Sequence, residues 1–369
     1  MNGNHRPIPF LDLAGIHDAI ADDLDLVWHS VRKHGYYTGG PEVDDFETAF
    51  ATYCEASHCI GVGNGTDALE LILTGLGIGR GDEVIVPANT FVATAEAVCA
   101  AGARPSFVDV NAATLLLDPA AAAAAITRAT AAIIGVHLYG QMADVDALVA
   151  LARRHGLAFI EDAAQAHGAR FGSTRAGSAG IAAAFSFYPG KNLGAFGDGG
   201  SVVTSDPQLA ERVRTIANHG RAVTDRHRHE LAGRNSRLDT LQAGVLATKL
   251  PLLDESNARR AAAMACYRTL LPDGYEPLAE HPYAESVHHL AVVRTGARDR
   301  ATAALTGAGI GWGIHYPVPC HQQPAFERFP AQAPVAEQAA GHILSLPMSP
   351  TLGEGDIARI CAVLRGVRT

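Results

Sequence analysis

Between residues 60 and 205 the chain alternates short apolar runs rich in β-branched residues with longer runs rich in alanine. The apolar runs predict buried strands, and the alanine-rich runs predict helices. Strands that alternate with helices build a mostly parallel sheet covered on both faces, so we predict an α/β fold. The predicted strands are Glu83–Pro87 (EVIVP), 105–110 (PSFVDV), 131–137 (AAIIGVH) and Ala158–Asp162 (AFIED), and the predicted helices are 93–101, 118–126 and 144–155.

The pattern changes near Pro251, after which the order of elements is typical of a smaller α+β domain. We predict a large domain at residues 1–250, which includes the N-terminal segment, and a small domain at residues 251–369. The elements predicted for the small domain are a helix at 257–270, a strand near 290–295 (LAVVRT) and a helix at 300–308.

The composition argues against several classes of protein. A formal net charge of −9 argues against nucleic-acid binding, and no apolar run approaches the roughly 20 residues that span a bilayer. The opening MNGNHRPIPF lacks a secretory pattern, so we expect a cytoplasmic protein. The six cysteines are scattered without a CxxC pair, and the RHRH stretch at 226–229 is typical of a solvated loop. We predict no bound metal, nucleic acid or membrane.

Polar or aromatic segments follow four of the expected strands. Ligands of parallel sheets bind beyond the carboxyl ends of the strands, so we expect these segments to meet in one site. They are GNGTDALE (63–70), PANTF (87–91), EDAAQAHG (161–168) and FSFYPGKNLGAFGDGG (185–200).

The GNGTDALE segment places two glycines and Thr66 at the start of an amphipathic helix. Exposed N–H groups and the positive end of the helix dipole suit an anion such as phosphate. Thr66 would equally serve as the helix N-cap, with the glycines making only a turn.

The strand AFIED ends with two carboxylates, of which the inward one would be desolvated. A buried aspartate needs a cation or several hydrogen-bond donors, so Asp162 predicts a positive partner. An arginine salt bridge or a cap for the next helix would also satisfy it.

Phe91, at the end of PANTF, is either a core residue or a platform for a flat aromatic ligand.

Lysine is rare in this chain. Only Lys33, Lys191 and Lys249 occur, while arginine supplies the other basic residues. Lys191 lies among aromatic residues and glycines in FSFYPGKNLGAFGDGG. A desolvated amine can lose its proton and attack a carbonyl, which arginine cannot do, so Lys191 is the candidate nucleophile. Together with a phosphate cradle, an isolated carboxylate and an aromatic platform, it predicts a site for pyridoxal phosphate.

These motifs resemble the DegT/DnrJ/EryC1/StrS family of sugar aminotransferases, which act on nucleotide-linked keto sugars. The likeness runs nearly end to end and includes GYYTGGPEVDDFETAFATYC, NGTDAL, EDAAQAHGA, SFYPGKNLGAFGDGG, GRNSRLDTLQA, HYPVPCHQQPAF and LSLPMSP. The resemblance implies the type I aminotransferase fold, with a seven-stranded-type sheet in the large domain and a smaller α+β C-terminal domain. It also implies pyridoxal 5'-phosphate as cofactor, with pyridoxamine phosphate as the intermediate form.

The resemblance assigns roles to individual residues. Lys191 would form the Schiff base with the cofactor and shuttle the proton, and Asp162 would pair with the pyridine nitrogen. Further cofactor contacts would come from Gly65, Thr66 and Ser186 at the phosphate, Phe91 on the ring face, Gln165 near the phenolic oxygen, and Asn235 from the neighbouring subunit of a homodimer. Weaker candidates for the sugar and nucleotide site are His137, Tyr139, His289, His315 and Tyr316.

The motifs VHLYGQ, SFYPGKNLGAFGDGG and NSRLDTLQA look most like enzymes that aminate carbon 3 of dTDP-linked 3-keto-6-deoxyhexoses with L-glutamate as the amino donor. Amination of carbon 4 of a dTDP-4-keto-6-deoxyhexose is the alternative. A non-catalytic regulator that keeps the cofactor is a second alternative, and a dehydratase or epimerase a third. The presence of Lys191 favours transamination, because dehydratases among such enzymes carry histidine in its place.

Overall fold

The computed structural model describes residues 6–222, 225 and 227–367. The strands are β1 (His58–Val62), β2 (Glu83–Pro87), β3 (Arg104–Val108), β4 (Thr130–Val136), β5 (Ala158–Asp162), β6 (Arg170–Phe171), β7 (Thr174–Arg175), β8 (Ala182–Ser186), β9 (Gly200–Thr204), β10 (Glu276–Pro277), β11 (Ala284–Glu285), β12 (Ala291–Arg294) and β13 (Ile343–Leu346). The helices are α1 (Leu13–Asp18), α2 (Ala21–His34), α3 (Pro41–Tyr53), α4 (Gly65–Gly75), α5 (Val92–Ala100), α6 (Pro119–Ala124), α7 (Val145–His155), α8 (Pro207–Ala217), α9 (Thr240–Lys249), α10 (Leu253–Leu270), α11 (Arg298–Gly307), α12 (Pro334–His342) and α13 (Glu354–Arg365).

A seven-stranded sheet forms the centre of the molecule, in the order β1, β9, β8, β5, β4, β2, β3. The pairs β5–β8, β4–β5, β2–β4 and β2–β3 are parallel, whereas β9 is antiparallel to both β1 and β8. The predicted α/β fold with a mostly parallel sheet is confirmed. Three predicted elements are clearly shorter than expected: β3 ends at Val108, α6 ends at Ala124, and β12 spans only Ala291–Arg294.

Side-chain caps set where several helices begin. Asp118 accepts hydrogen bonds from the N–H groups of Ala120 and Ala121, so the helix predicted from residue 118 begins one residue later. Asp144 caps α7 in the same way through Ala147 N. A side-chain oxygen at this position satisfies N–H groups that have no partner inside the helix.

A second hydrophobic core lies in the C-terminal part of the chain, where the three-stranded sheet β10, β12, β13 packs with α10, α11 and α13. Tyr267, Leu305 and Ile360 are buried in it. Ile8 of the N-terminal segment also joins this core, which the sequence pattern did not indicate. The predicted domain boundary near Pro251 stays a prediction. Among the described residues, no helix is both long and apolar enough to cross a bilayer.

Glu161 is buried at the end of β5 and holds the segment that leads into β8. Its carboxylate accepts hydrogen bonds from the N–H groups of Gly177 (3.0 Å), Ala179 (2.8 Å) and Gly180 (2.9 Å), and from Nε2 of His137 (3.0 Å). These four donors satisfy the carboxylate of Glu161, which is one of the two carboxylates at the end of the sequence AFIED. The other, Asp162, is therefore left for the opposite face of the sheet.

We expect Glu161→Gln to lower the free energy of unfolding by about 3 kcal/mol, because the new amide group would face N–H donors in a buried network. Urea unfolding of the variant measures the loss. Glu211→Gln is the control, since Glu211 is an exposed residue of α8. Equal unfolding midpoints for the two variants would contradict a structural role for Glu161.

Candidate active site

One cavity of about 520 Å³ lies at the carboxyl ends of the central strands. All four segments expected to meet there contribute to its lining. From them come Asn64, Gly65, Thr66, Thr90, Phe91, Asp162, Gln165, Ser186 and Lys191. His289, His315 and Tyr316 line the cavity from later parts of the chain.

Lys191 follows β8 and lines this cavity beside Asp162. Burial of the amine lowers the pKa of Lys191 to about 8, because a low-dielectric environment disfavours the charged form. The carboxylate of Asp162 acts in the opposite direction and raises that pKa. A larger part of the amine is therefore unprotonated near neutral pH than for an ordinary lysine, as a nucleophile or proton acceptor requires.

Asp162 is 7% exposed and is held by neutral donors. Its carboxylate accepts hydrogen bonds from Oγ1 of Thr94 (2.7 Å) and from the N–H of Ala164 (3.3 Å), and Thr94 in turn contacts Thr90. Within the described residues, no arginine, lysine or histidine lies within salt-bridge distance of Asp162, so the arginine salt bridge is not formed there. The carboxylate is available to a cationic group inside the cavity.

The N-terminus of α4 borders the cavity with free N–H groups. Asn64 caps this helix, because its side chain accepts a hydrogen bond from Asp67 N (2.8 Å). The N-cap interpretation of Thr66 is therefore wrong, and its hydroxyl is not used in that role. The N–H groups of Gly65 and Thr66 have no acceptor within the helix, since they belong to its first turn.

Glycines bring the strands close to this helix terminus. A Cβ atom on Gly65 would lie 2.8 Å from Cβ of Ser186, and a Cβ atom on Gly200 would lie 2.4 Å from the carbonyl carbon of Asn64. Both positions thus exclude larger side chains. The close approach places Ser186 beside the free N–H groups, which forms a cradle suited to a phosphate.

Phe91 lies at the rim of the cavity and is 51% exposed, so it is not a core residue. Its ring centroid is 5.5 Å from that of Tyr316. Gln165 lies deeper, where its Oε1 accepts a hydrogen bond from Tyr139 N (2.7 Å) and its Nε2 donates to the hydroxyl of Tyr316 (3.3 Å). Their roles toward the cofactor ring stay predictions.

The side chains of His137 and Tyr139 are engaged by the protein itself. Nδ1 of His137 accepts a hydrogen bond from Ala143 N (3.2 Å), and its Nε2 donates to Glu161. The hydroxyl of Tyr139 donates to the carbonyl of His315 (2.8 Å) and accepts from Asn89 (3.0 Å). Both side chains are buried, and His137 belongs to the lining of the cavity whereas Tyr139 does not. Their predicted contact with the sugar or nucleotide stays a prediction.

His289 and His315 are held at one ring nitrogen each. Nδ1 of His289 contacts Oδ1 of Asn192 (2.9 Å), and Nδ1 of His315 contacts Oγ of Ser345 (2.8 Å). Burial lowers the pKa of His289 well below 6.5 and that of His315 to about 4, so both are neutral at pH 7. Neutral imidazoles in the cavity suit polar hydroxyl groups better than they suit phosphate.

Asn235 is exposed and does not line the cavity of its own chain. Its Oδ1 accepts a hydrogen bond from Nε of Arg237 (3.1 Å). The predicted contact with a neighbouring subunit's cofactor stays a prediction.

In the RHRH stretch, Arg226 lies outside the described residues, and Arg228 pairs with Glu230 (3.2 Å). No cluster of three or more potential metal ligands occurs in the part of the chain that the structure describes.

The sequence model of the DegT/DnrJ/EryC1/StrS aminotransferase family matches residues 19–365. The chain belongs to this family. It is a pyridoxal-phosphate-dependent sugar aminotransferase, as the resemblance predicted.

Relatives of this aminotransferase cover almost its whole length. The erythromycin biosynthesis sensory transduction protein EryC1 of Saccharopolyspora erythraea is 50% identical over 97% of this chain and 99% of its own. The dTDP-3-amino-3,4,6-trideoxy-alpha-D-glucose transaminase of Streptomyces venezuelae is 47% identical over 97% of this chain and 95% of its own. A relative from Pseudomonas aeruginosa, 43% identical over 97% of this chain and 99% of its own, is named as an aminotransferase of a UDP-linked 3-oxo sugar.

Among solved structures, Streptomyces venezuelae DesV in complex with a ketimine intermediate superimposes with a TM-score of 0.95 at 46% identity, covering 98% of each chain. The type I aminotransferase fold is therefore confirmed. The cavity also fits the cofactor of this family, because a phosphate cradle, a buried carboxylate and an amine of lowered pKa line the same space.

Several residues of this aminotransferase site were missed at the level of sequence. Thr94 positions Asp162, Asn64 caps the cradle helix, and Gly200 permits the close approach of the cradle. Thr94 lies on the first turn of α5 and Thr90 lies just before that helix, and the hydroxyl oxygens of the two residues are 2.8 Å apart. Phe10 and Met348 also line the cavity, but no local pattern brings the two chain ends together.

We expect Gly65→Ala to weaken pyridoxal phosphate binding by at least about tenfold, because the new methyl group would displace Ser186 from the cradle. Titration of the apoprotein with the cofactor, followed by absorbance, measures the dissociation constant. Gly341→Ala is the matched control, since a Cβ atom on Gly341 would have no neighbouring atom within 4 Å. Unchanged binding in Gly65→Ala would argue that the phosphate lies elsewhere.

Proposed function

We propose that this protein transfers the amino group of L-glutamate to carbon 3 of a dTDP-linked 3-keto-6-deoxyhexose. The products are 2-oxoglutarate and the dTDP-3-amino-3,6-dideoxyhexose. The observation that carries the proposal is the Lys191 amine of lowered pKa, which faces Asp162 inside the family's cofactor cavity. Carbon 3 and the dTDP carrier are supported by the name of the relative from Streptomyces venezuelae.

With pyridoxal phosphate bound, Lys191 would hold the cofactor through its amine and would be released from it when the amino donor binds. The freed amine then takes the proton from the α-carbon of the donor, which suits a pKa near 8. When bound, pyridoxal phosphate supplies an electron sink for the electrons left on that carbon. Asp162, positioned by Thr94, stabilises positive charge at the pyridine nitrogen, and the α4 N-terminus with Ser186 holds the phosphate.

In the second half, the same residues act in reverse. Carbon 3 of the keto sugar accepts the nitrogen that glutamate left in the site, and the carbonyl oxygen of the sugar leaves as water. Lys191 then delivers a proton to carbon 3. The first half consumes one water when 2-oxoglutarate is released, and the second half forms one water. The two halves therefore balance to an exchange of an amino group for a carbonyl oxygen. Ping-pong kinetics follow, because the donor leaves before the acceptor binds.

We further propose that the active enzyme is a homodimer in which Asn235 completes the phosphate site of the neighbouring subunit. Its exposure and its absence from the cavity of its own chain are consistent with this role. Mixing Lys191→Ala and Asn235→Ala subunits tests it, since a shared site should regain one intact copy in each mixed dimer. No recovery of activity would contradict the shared site.

The test of the reaction is the absorption spectrum of the purified holoenzyme. Glutamate should bleach the visible band of bound pyridoxal phosphate, and a dTDP-3-keto-6-deoxyhexose should restore it. A dTDP-4-keto-6-deoxyhexose and a UDP-linked 3-keto sugar are tested in parallel. Recovery with the 4-keto sugar alone would move the reaction to carbon 4, and recovery with the UDP sugar alone would exclude the dTDP carrier.

A regulatory function is the second candidate, because the relative from Saccharopolyspora erythraea is named as a sensory transduction protein. The presence of both Lys191 and Asp162 in the lining of the cavity favours catalysis over such a role. The same experiment separates the two functions. A holoenzyme that glutamate does not bleach would support the non-catalytic alternative.

A further inference from the structure

A second cavity, of about 270 Å³, adjoins the active site at Lys191. It shares Leu11 and Lys191 with the larger cavity and extends from them toward the end of α9 and the start of α10. Lys249 and Arg260, the cationic residues that these two helices bury, both contribute to its lining. The lining therefore places two buried cations in the same cavity as Lys191, and the exposed Arg259 adds a third cation.

Arg260 is 2% exposed, and its guanidinium is poorly satisfied. Its Nε makes no hydrogen bond to any described residue, and Nη1 makes only a long contact of 3.5 Å with the carbonyl of Met348. Lys249 is 9% exposed, and its Nζ donates to the carbonyl of Gly194 and lies 3.5 Å from Nε2 of His17. Each cation thus has neutral partners only.

No carboxylate of the described chain lies within salt-bridge distance of either cation. Glu255 also lines this cavity, but it is exposed and pairs with Arg259 at 2.6 Å. Buried cations are costly unless an opposite charge meets them. Burial lowers the pKa of Arg260 to about 10, and burial together with Arg260 lowers the pKa of Lys249 to about 8. An anion in the cavity would stabilise the charged forms of Lys249 and Arg260.

We propose that Lys249 and Arg260 bind a carboxylate of the amino donor. The identity of that donor rests on the function proposed above, whereas the anion site rests on the cavity itself. A planar guanidinium matches a carboxylate with two parallel hydrogen bonds, and the lysine amine adds a second positive charge. Because Lys191 lines the same cavity, a carboxylate anchored there holds the amino-bearing part of the donor next to the reacting amine.

The size and position of the cavity favour a carboxylate over a phosphate. Its volume lies just below the range of about 300–1,000 Å³ that accommodates drug-sized ligands, so it suits one end of an amino acid better than a nucleoside diphosphate. The cradle for the cofactor phosphate is formed elsewhere, by the α4 N-terminus and Ser186, and neither lines this cavity.

The experiment is titration calorimetry of glutarate binding to the holoenzyme. Glutarate is a dicarboxylate that has the carbon chain of glutamate but no amino group. Arg260→Gln should weaken glutarate binding by at least about tenfold, because charge-assisted hydrogen bonds are lost. Arg260→Lys, which keeps a cation, should lose less. Arg268→Gln is the matched control on the same helix, where Arg268 pairs with Glu280 outside the cavity. Inorganic pyrophosphate is titrated in parallel.

Unchanged glutarate binding in Arg260→Gln would overturn the proposal, as would an Arg260-dependent affinity for pyrophosphate but not for glutarate. If the glutamine variant does not fold, a crystal structure of the wild-type holoenzyme with glutarate decides the question. A carboxylate bound to Arg260 supports the site, and glutarate bound elsewhere overturns it. Glutarate has no amino group to transfer, so its binding is measured independently of the reaction. Arg260-dependent glutarate binding in a holoenzyme that glutamate does not bleach would refute the proposed function and leave the anion site standing.

Discussion

Replacing Lys191 with alanine should lower kcat for transamination by at least about four orders of magnitude. The amine is expected to bond to the cofactor and to carry the proton in both halves of the reaction, so one substitution removes two contributions. No other lysine can take over, since Lys33 is exposed on α2 and Lys249 is held by Gly194 and His17. The rate of 2-oxoglutarate formation measures the loss.

Two variants serve as controls for this result. Lys33→Ala removes an exposed lysine and should leave kcat unchanged. Lys191→Arg keeps the positive charge, but a guanidinium does not lose its proton near neutral pH, so activity should stay as low as in Lys191→Ala. A Lys191 variant that keeps kcat within tenfold of the wild-type value would refute the role of this amine.

The convergence of the site was predictable because it depends on the order of strands and helices. In a parallel sheet the carboxyl ends share one edge, so segments that follow β2, β5 and β8 had to meet. Lys191 was conspicuous because lysine is rare in this chain, and Asp162 because it ends an apolar strand. These signals are local, and they do not depend on how distant parts of the chain pack.

Other features depend on contacts that no local pattern encodes. The position of β9 between β1 and β8 is set by pairing across the sheet, and the strand order cannot be read from hydrophobic periodicity. Asn64 and Thr66 are both good N-cap residues, so propensity does not determine which one begins α4. The hydrogen bond between His137 and the buried carboxylate of Glu161 also could not be predicted, because it joins the ends of two strands through their packing.

Replacing Asp162 with asparagine should lower kcat by about a hundredfold or more, because the amide cannot stabilise positive charge at the cofactor ring. Asparagine has nearly the same shape, so the fold should tolerate it. The charge also raises the pKa of Lys191, so its removal should lower that pKa further below about 8. Cofactor loading of the apoprotein requires the neutral amine and should rise with pH up to this pKa, and the variant's profile should level off at lower pH.

Thr94→Val separates the charge of Asp162 from its positioning. Valine has the shape of threonine but cannot donate the 2.7 Å hydrogen bond to the carboxylate, so the charge remains while its orientation is loosened. We expect a loss in kcat of only about tenfold, because one hydrogen bond to a charged group is removed. The pH profile of cofactor loading should stay close to that of the wild type. If Thr94→Val and Asp162→Asn reduced kcat equally, the negative charge itself would not be what the reaction requires, and Asp162 would act by holding the geometry of the site.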